Sequence, residues 1–476
     1  MSTDAQLHAG EAIEHRTIDW IPPTERHGRP GSLFFVWFAA NTSITALVTG
    51  ALFVILGNSP LWSIPAIIIG NVLGGWVTAL HSAQGPKLGV PQMIQSRAQF
   101  GYYGAILPLV LALFIYLGFY ATGLVLGGQA LGSLLNVDPK VGAAIFAVFS
   151  TVLAIIGYRW IHRVSHFATV LSGVVFIVLL FVILAAPDAA ATIGNGEFAL
   201  APFILGISLS ASWQLTFGPY IADYSRYLPE STPQRATIGW TFLGSVLGAS
   251  LAMSIGALAA AVGGAAFSDN QVLYLAGLLG GFGWIVSITV VIGKLVGNTL
   301  SSYGGFMSLA TIVTALGRKD VVTARSRAVY VVIISAIAYA IAALATDNFL
   351  GNFTNFLLFL LYFITPWSAI NLVDFYLIRH KEYDIAALFD PNGPYGKVNG
   401  LAFIAYFAGI LVQIPFMNSS LYVGPIANLF GGAEVAWLIG LVVSGFIFYW
   451  FNPARRGSLA TRTRCADPSP SESAAP

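Results

Sequence analysis

The chain has 476 residues, 57% of them apolar and only 9% charged. Soluble proteins carry roughly 25% charged residues, so this one could not cover a water-facing surface of its size. The formal net charge of +2 gives no reason to expect nucleic acid. A single cysteine, Cys465, excludes an intrachain disulfide framework and a cysteine-based metal site. What remains is a polytopic α-helical membrane protein.

Residues 1–30 are polar, include Pro22, Pro23 and Pro30, and hold no secretory signal; a cytoplasmic tail is expected there. A helix needs about 20 mostly apolar residues to cross the hydrocarbon core. Twelve such segments follow, near 32–56, 62–83, 104–132, 141–158, 165–186, 201–221, 238–263, 274–315, 328–346, 353–378, 400–417 and 433–451. The eighth is too long for one straight span. Breaker clusters such as Gly57-Asn58-Ser59-Pro60, Pro187-Asp188 and Asp390-Pro391-Asn392-Gly393-Pro394 separate them.

Lys and Arg set the orientation, because they accumulate on the cytoplasmic side. Arg16, Arg26 and Arg29 precede span 1. Alternate connections then hold Lys87 and Arg97; Arg159 and Arg163; Arg226 and Arg235; Arg318, Lys319, Arg325 and Arg327; and Arg379, Lys381 and Lys397. Arg455, Arg456, Arg462 and Arg464 follow span 12. All but two of the 22 basic residues thus fall on one side, which places both termini in the cytoplasm of a multi-pass cell-membrane protein. The opposite loops hold only Lys140, and Lys294 lies inside span 8.

A charged group at membrane depth is expensive and usually functional. Lys294 is followed on the same helix face by Asn298 and a serine hydroxyl from Ser301 or Ser302. It is either a coupling group that loads and releases a proton or a snorkelling or structurally paired lysine. Span 1 carries Asn41-Thr42-Ser43-Ile44-Thr45 at its middle. Span 6 carries Ser208, Ser210 and Ser212-Trp213-Gln214-Leu215-Thr216-Phe217-Gly218-Pro219 at the corresponding depth. Pro219 lacks a backbone donor and Gly218 relaxes the chain, so both segments read as interrupted helices. Interruptions at matching places of two halves point to a transporter binding site. Each polar residue taken alone reads more readily as helix–helix glue, and it is the coincidence of two polar, broken segments five spans apart that favours a site.

The resulting organisation is a tail at 1–30, a first five-helix repeat over 31–190, and a second over 200–380. Spans 11 and 12 follow over 398–452, and a disordered cytoplasmic tail over 453–476. Asp223 and Arg226, after span 6, suit a gating ion pair or a helix cap. Asp374 and Glu434, at span ends, are expected to be solvated. His81 lies at a cytoplasmic end without metal-ligand spacing. With no Walker sequence, nucleophile elbow or paired carboxylates, the residues show no enzyme, no ATP-driven pump, and no cofactor or metal site.

Several motifs in this order resemble the nucleobase–cation symporters, purine/cytosine permease branch. They are Trp37-Phe38-Ala39-Ala40-Asn41, Gly85-Pro86-Lys87 through Pro91-Gln92-Met93, Ser96-Arg97, and Phe100-Gly101. After these come Ala222-Asp223-Tyr224-Ser225-Arg226-Tyr227-Leu228-Pro229, Val296-Gly297-Asn298-Thr299, Pro366-Trp367 and Asp374-Phe375-Tyr376. The resemblance implies a leucine-transporter-like fold of two inverted five-helix repeats plus two C-terminal helices, working by alternating access. It also implies a nucleobase held between spans 1, 3, 6 and 8. By motif, the span 3 aromatic falls on Phe119, where the family often has tryptophan. The span 6 pair falls on Trp213 and Gln214, and the span 8 amide on Asn298 beside Thr299. Asn41 and Phe217 complete the expected substrate set. The residue types suit a flat base: Phe119, Trp213 or Phe217 for stacking, Asn298 and Gln214 for its donor–acceptor edge.

One departure bears on the coupling ion. Sodium-coupled members place two span 8 hydroxyls one turn before the amide, whereas this chain has Lys294 and Leu295. A hard cation would lose oxygen ligands there, so proton coupling through Lys294 is expected. The alternative carriers are an allantoin, hydantoin or vitamin transporter, or an amino-acid carrier of the same architecture. An α-amino acid would favour the free backbone amides of broken span 1 over side-chain amides.

Overall fold

A computed structural model of the chain describes residues 19–156, 158–317 and 324–454, apart from the side chains of 156–166 and 324. The described residues are helical, with one isolated bridge between Asn418 and Val423. Span 1 is two helices, α1 (Ser32–Asn41) and α2 (Ile44–Ile55), and span 2 is α3 (Pro60–Ser82). Two short helices follow, α4 (Gln84–Leu88) and α5 (Gln92–Phe100), then spans 3 to 5 as α6 (Ile106–Leu135), α7 (Pro139–Ile156) and α8 (Tyr158–Leu184). After α9 (Ala189–Gly194), span 6 consists of α10 (Leu200–Leu215) and α11 (Ile221–Ser225). Span 7 is α12 (Gln234–Asp269), followed by α13 (Gln271–Gly277) and span 8, α14 (Gly283–Ala315). The remainder is α15 (Ala324–Ala345), α16 (Phe349–Val373), α17 (Gly400–Gln413), α18 (Pro425–Leu429) and α19 (Ala436–Phe451).

Among the described residues, seven helical segments are long and apolar enough to cross a membrane, and the bent pair α1–α2 makes an eighth. One of the seven, Arg325–Ile378, is interrupted by the 3-10 turn Thr346–Asn348 and holds both α15 and α16. With the shorter apolar helices α7, α17 and α19, each expected segment falls on an apolar helix. The over-long eighth segment is α13, a 3-10 turn at Gly280–Phe282, and α14.

The two interruptions have local causes. In span 1 the chain bends by 55° between α1 and α2. The Thr42 hydroxyl donates to Phe38 O at 2.8 Å, and Ser43, extended at φ −134° and ψ 157°, accepts from Ala46 N at 3.3 Å. Side chains that capture backbone groups in this way compete with the helix ladder. In span 6, Thr216 Oγ1 donates to Trp213 O at 2.6 Å, and a 3-10 turn at Gly218–Tyr220 contains Pro219. Proline cannot supply the ladder donor there.

Spans 1, 2, 6 and 7 pack together: α12 lies against α1, α2 and α3, and α10 against α3. Small residues permit the closest approach. A side chain at Gly50 would strike the backbone of Met253, and one at Gly256 the backbone of Leu47. A second group forms from α6, α7, α14 and α15, with α8 against α14. Helix α16 touches α10 on one side and α17 and α19 on the other.

Among the described residues, four of the basic segments touch one another. Arg26 Nη1 donates to Pro86 O at 2.6 Å, Arg97 Nη1 to Leu388 O at 3.0 Å, and Lys87 pairs with Glu230 at 3.4 Å. Lys140 pairs with Asp347 at 2.7 Å, joining two loops expected on the opposite face. The first tail is packed from Asp19 onward, with Ile21 N donating to Gly89 O at 2.9 Å and His27 N to Tyr227 O at 2.6 Å. Residues 1–18 and 455–476 of the two expected tails, and the side chains of Arg159, Arg163, Arg318 and Lys319, lie outside the described residues.

Two expectations are corrected. Asp374 is not solvated: it is 1% exposed and accepts from Gln99 Nε2 at 2.8 Å, Tyr383 OH at 2.7 Å and Arg379 Nε at 3.0 Å. Glu434 is fully buried, accepting from Tyr362 OH at 2.7 Å, Ala436 N at 3.0 Å and the backbone N–H of Asn418. Both stand at the ends of apolar runs, but packing brings them buried partners: α5 supplies Gln99 to Asp374, and α16 supplies Tyr362 to Glu434. His81, at the end of α3, is buried as well, bonded to Asn371 Oδ1 at 2.9 Å and Ser368 Oγ at 2.6 Å.

Candidate functional site

Lys294 lies in the middle of α14, and its ammonium donates to the hydroxyl of Thr45. Thr45 is in the first turn of α2, just past the break in span 1. The side chain therefore runs inward to the interruption and does not snorkel to an end of the span. One turn further along α14, Asn298 is 2% exposed and lies against Gly123 of α6, where a Cβ would clash with its amide oxygen. Asn298 Nδ2 is buried and has no hydrogen-bond partner among the described residues. A buried unpaired donor is costly, so this atom is in want of an acceptor, as is the equally unpaired Trp37 Nε1 on α1. The neighbouring Thr299 hydroxyl is occupied within its own helix, donating to Leu295 O at 2.7 Å.

The aromatic candidates form one cluster. Phe119, on α6 one turn before Gly123, meets Trp213 edge-to-face, with centroids 5.7 Å apart and planes at 90°. Trp213 meets Phe217 at 5.8 Å and 80°, and Phe217 meets Trp37 of α1 at 5.5 Å and 70°. Phe356 of α16 closes the far side of Phe119 at 5.4 Å. Rings set this way give favourable quadrupole contacts. They offer a face beside an edge, whereas a flat ligand held between two parallel rings needs about 7 Å, twice the contact distance.

The other two expected ligand amides are placed differently. Asn41 ends α1 and is fully buried; its Nδ2 donates to Trp37 O at 2.8 Å and Ser245 Oγ at 3.0 Å, and its Oδ1 accepts from Trp213 Nε1 at 2.7 Å. Gln214 turns away from the aromatic cluster, donating to Asn71 Oδ1 at 2.8 Å and Ser245 O at 3.3 Å. Their hydrogen-bonding groups are met within the protein, while that of Asn298 is not. Gln214 parts from its neighbour Trp213 because adjacent helical residues point about 100° apart: Trp213 meets Phe119 of α6, and Gln214 meets Asn71 of α3 and Ser245 of α12.

Asp223 Oδ1 accepts from Gln92 N at 2.7 Å, at the first residue of α5, so it caps a neighbouring helix. Arg226 is 3% exposed, donates to Tyr227 OH at 3.3 Å and reaches Asp19 O at 3.5 Å. Both join the end of span 6 to other segments, Asp223 to the start of α5 and Arg226 to Asp19. Sequence reasoning missed Asn71, Ser245 and Gly123. Asn71 was the one available signal, a lone amide within the apolar stretch Ile67-Ile68-Ile69-Gly70-Asn71-Val72-Leu73.

A profile of the family described as permease for cytosine/purines, uracil, thiamine, allantoin matches residues 20–440. The chain is 41% identical over 437 residues to the protein named "Putative purine-cytosine permease YxlA" of Bacillus subtilis (strain 168), covering 92% of this chain and 95% of that one. Among solved structures it is similar to the inward-facing conformation of Mhp1, with a TM-score of 0.74, 17% identity and 95% of each chain covered. It is similar also to a closed Mhp1, a nucleobase-cation-symport-1 family transporter with bromovinylhydantoin bound, with a TM-score of 0.72, 17% identity, and 95% and 97% covered. At that identity the two structures establish the shared fold, the leucine-transporter-like architecture expected above.

Proposed function

This chain belongs to the permease family for cytosine/purines, uracil, thiamine and allantoin, and we propose that it imports a nucleobase, a purine or cytosine, by symport with protons. It is a multi-pass membrane transporter and not an enzyme. The observation that carries the reading is the unpaired Nδ2 of Asn298, one helical turn from a lysine that reaches the break in span 1. A nucleobase supplies a ring nitrogen or carbonyl to that donor and a flat face to Trp213 and Phe119. Phe217 supports the Trp213 ring from the other side, and Thr299 shapes the wall behind Asn298. Asn41 acts on the base through the Trp213 ring it holds, and Gln214 through Ser245, which joins it to Asn41.

Coupling runs through Lys294. A protonated Lys294 joins α14 to α2 by its bond to Thr45, in place of a bound metal cation. Loss of the proton removes the positive end of that bond and lets spans 1 and 8 separate. A proton taken from outside with the base, and given up inside, would drive accumulation. Asp223 and Arg226 belong in this reading to the cytoplasmic gate, because they tie the end of span 6 to the loop after span 2 and to the N-terminal segment. The two repeats are assigned to 31–190 and 200–380, with spans 11 and 12 over 398–452. Both termini are placed in the cytoplasm of a cell-membrane protein, on the distribution of Lys and Arg.

The test is uptake of radiolabelled cytosine, adenine, guanine and hypoxanthine by proteoliposomes holding the full chain. Accumulation under an inward pH gradient, abolished by protonophore and indifferent to sodium, is expected. Accumulation that needs a sodium gradient and ignores protonophore would overturn the coupling. A ureide such as allantoin is the second reading, since it offers the same donor–acceptor edge without an aromatic face. Allantoin uptake that survives Trp213→Ala, with no uptake of bases, would favour it.

A further inference from the structure

Five side chains form one continuous hydrogen-bonded line through the segments around the two helix breaks. Trp213 Nε1 donates to Asn41 Oδ1 at 2.7 Å, and Asn41 Nδ2 to Ser245 Oγ at 3.0 Å. Ser245 Oγ donates to Gln214 Oε1 at 2.6 Å, and Gln214 Nε2 to Asn71 Oδ1 at 2.8 Å. Asn71 ends the line by donating to Ile67 O at 3.0 Å and Met253 Sδ at 3.4 Å. No member is more than 3% exposed.

The direction of every bond is set at one end. An indole N–H can only donate, so Asn41 must turn its oxygen to Trp213 and its nitrogen to Ser245. Ser245 then accepts from Asn41 and has its own proton to give to Gln214. Gln214 is thereby turned so that its nitrogen faces Asn71. Only a side chain that accepts and donates through one small atom serves at 245, and a hydroxyl is that group. The edge contacts of Trp213 with Phe119 and Phe217 restrain the ring by shape alone, and the N–H bond selects which way the indole faces.

We propose that Ser245 and Asn71 are positioning residues for substrate binding. Through Asn41 and Gln214 they hold the indole plane of Trp213 and fasten the broken ends of spans 1 and 6 to spans 2 and 7. This rests on the reading of Trp213 as the ring that a base meets. Ordinary packing glue would stabilise the fold without any special tie to Trp213, and a double-mutant cycle separates the two roles.

The experiment uses full-length protein in nanodiscs, with Ser245→Ala, Ser245→Thr and Ser245→Cys, each in the wild-type and Trp213→Phe backgrounds. Two quantities are read: nucleobase Kd, and the ultraviolet resonance Raman band of the Trp213 indole N–H, taken as the difference from Trp213→Phe. Ser245→Ala should weaken base binding by about tenfold, the worth of one to two hydrogen bonds, and shift the Trp213 band. Ser245→Thr, which keeps the hydroxyl, should stay within about twofold. In the Trp213→Phe background, where no N–H needs orienting, Ser245→Ala should change Kd by less than about twofold. Equal losses in both backgrounds, or an unmoved Trp213 band, would overturn the proposal. If Ser245→Ala does not fold, Ser245→Cys keeps the shape with a weaker donor and answers to the same two readouts. If the wild type binds no base, the nucleobase reading falls, and the ligand-free band alone decides whether the line holds Trp213.

Discussion

The ammonium of Lys294 donates to the hydroxyl of Thr45, joining the middle of α14 to the first turn of α2 across the break in span 1. The two residues are 249 positions apart in the chain. A cation that ties two helices at membrane depth gives transport a handle that a neutral side chain cannot.

Lys294→Met keeps the length of the side chain and removes its charge. Accumulation of base under a pH gradient should be lost, while exchange of labelled for unlabelled base across the same vesicles stays within about threefold, since binding needs no net proton movement. Accumulation persisting in the mutant would remove Lys294 from coupling.

Thr45→Val takes away the acceptor and leaves the ammonium without that partner. A part-buried charge without that partner is worse than an unpaired hydroxyl, so the cost should be about 1–3 kcal/mol. A lower melting temperature than Lys294→Met Thr45→Val, measured on purified protein, is the expected sign. Equal melting temperatures would mean that the bond is not formed in solution.

Asn298→Ala should leave stability nearly unchanged, because the Nδ2 it removes has no internal partner to lose. Base affinity should fall about two- to tenfold, at roughly 0.5–1.5 kcal/mol for the one neutral hydrogen bond lost. Thermal-shift titration with bases reads both quantities at once, and an unchanged ligand-induced shift would take Asn298 out of the site.

Gly123→Ala places a methyl where the Asn298 amide oxygen lies. It should weaken binding as Asn298→Ala does, and the double mutant should be no worse than either, since both act on one amide. Additive losses in isothermal titration would show that Gly123 acts elsewhere.

Asp374→Asn should destabilise by about 2–3 kcal/mol, below the full figure for breaking a closed buried pair because the Arg379 partner is 27% exposed. Loss of the charge leaves Arg379, Tyr383 and Gln99 bonded to a weaker acceptor. Thermal melting of the ligand-free protein measures it, and a melting temperature equal to wild type would contradict the placement.

The membrane class, the order of the spans, both interruptions and the isolation of Lys294 could be read from the chain directly. Each follows from a cost that acts locally: a backbone or a charge in hydrocarbon must be satisfied or absent, so run length, breakers and Lys/Arg placement carry the information. The direction in which each polar side chain faces could not be read this way. Asn41, Gln214 and Asn298 are amides at similar depth, yet the first two are bonded within the protein and the third keeps a free donor. Asp374 and Glu434 sit at the ends of apolar runs, yet both are buried and bonded to side chains of helices distant in sequence, Gln99 and Tyr362. Burial and pairing depend on which helices become neighbours, and no local pattern around a residue encodes the partner that packing brings to it.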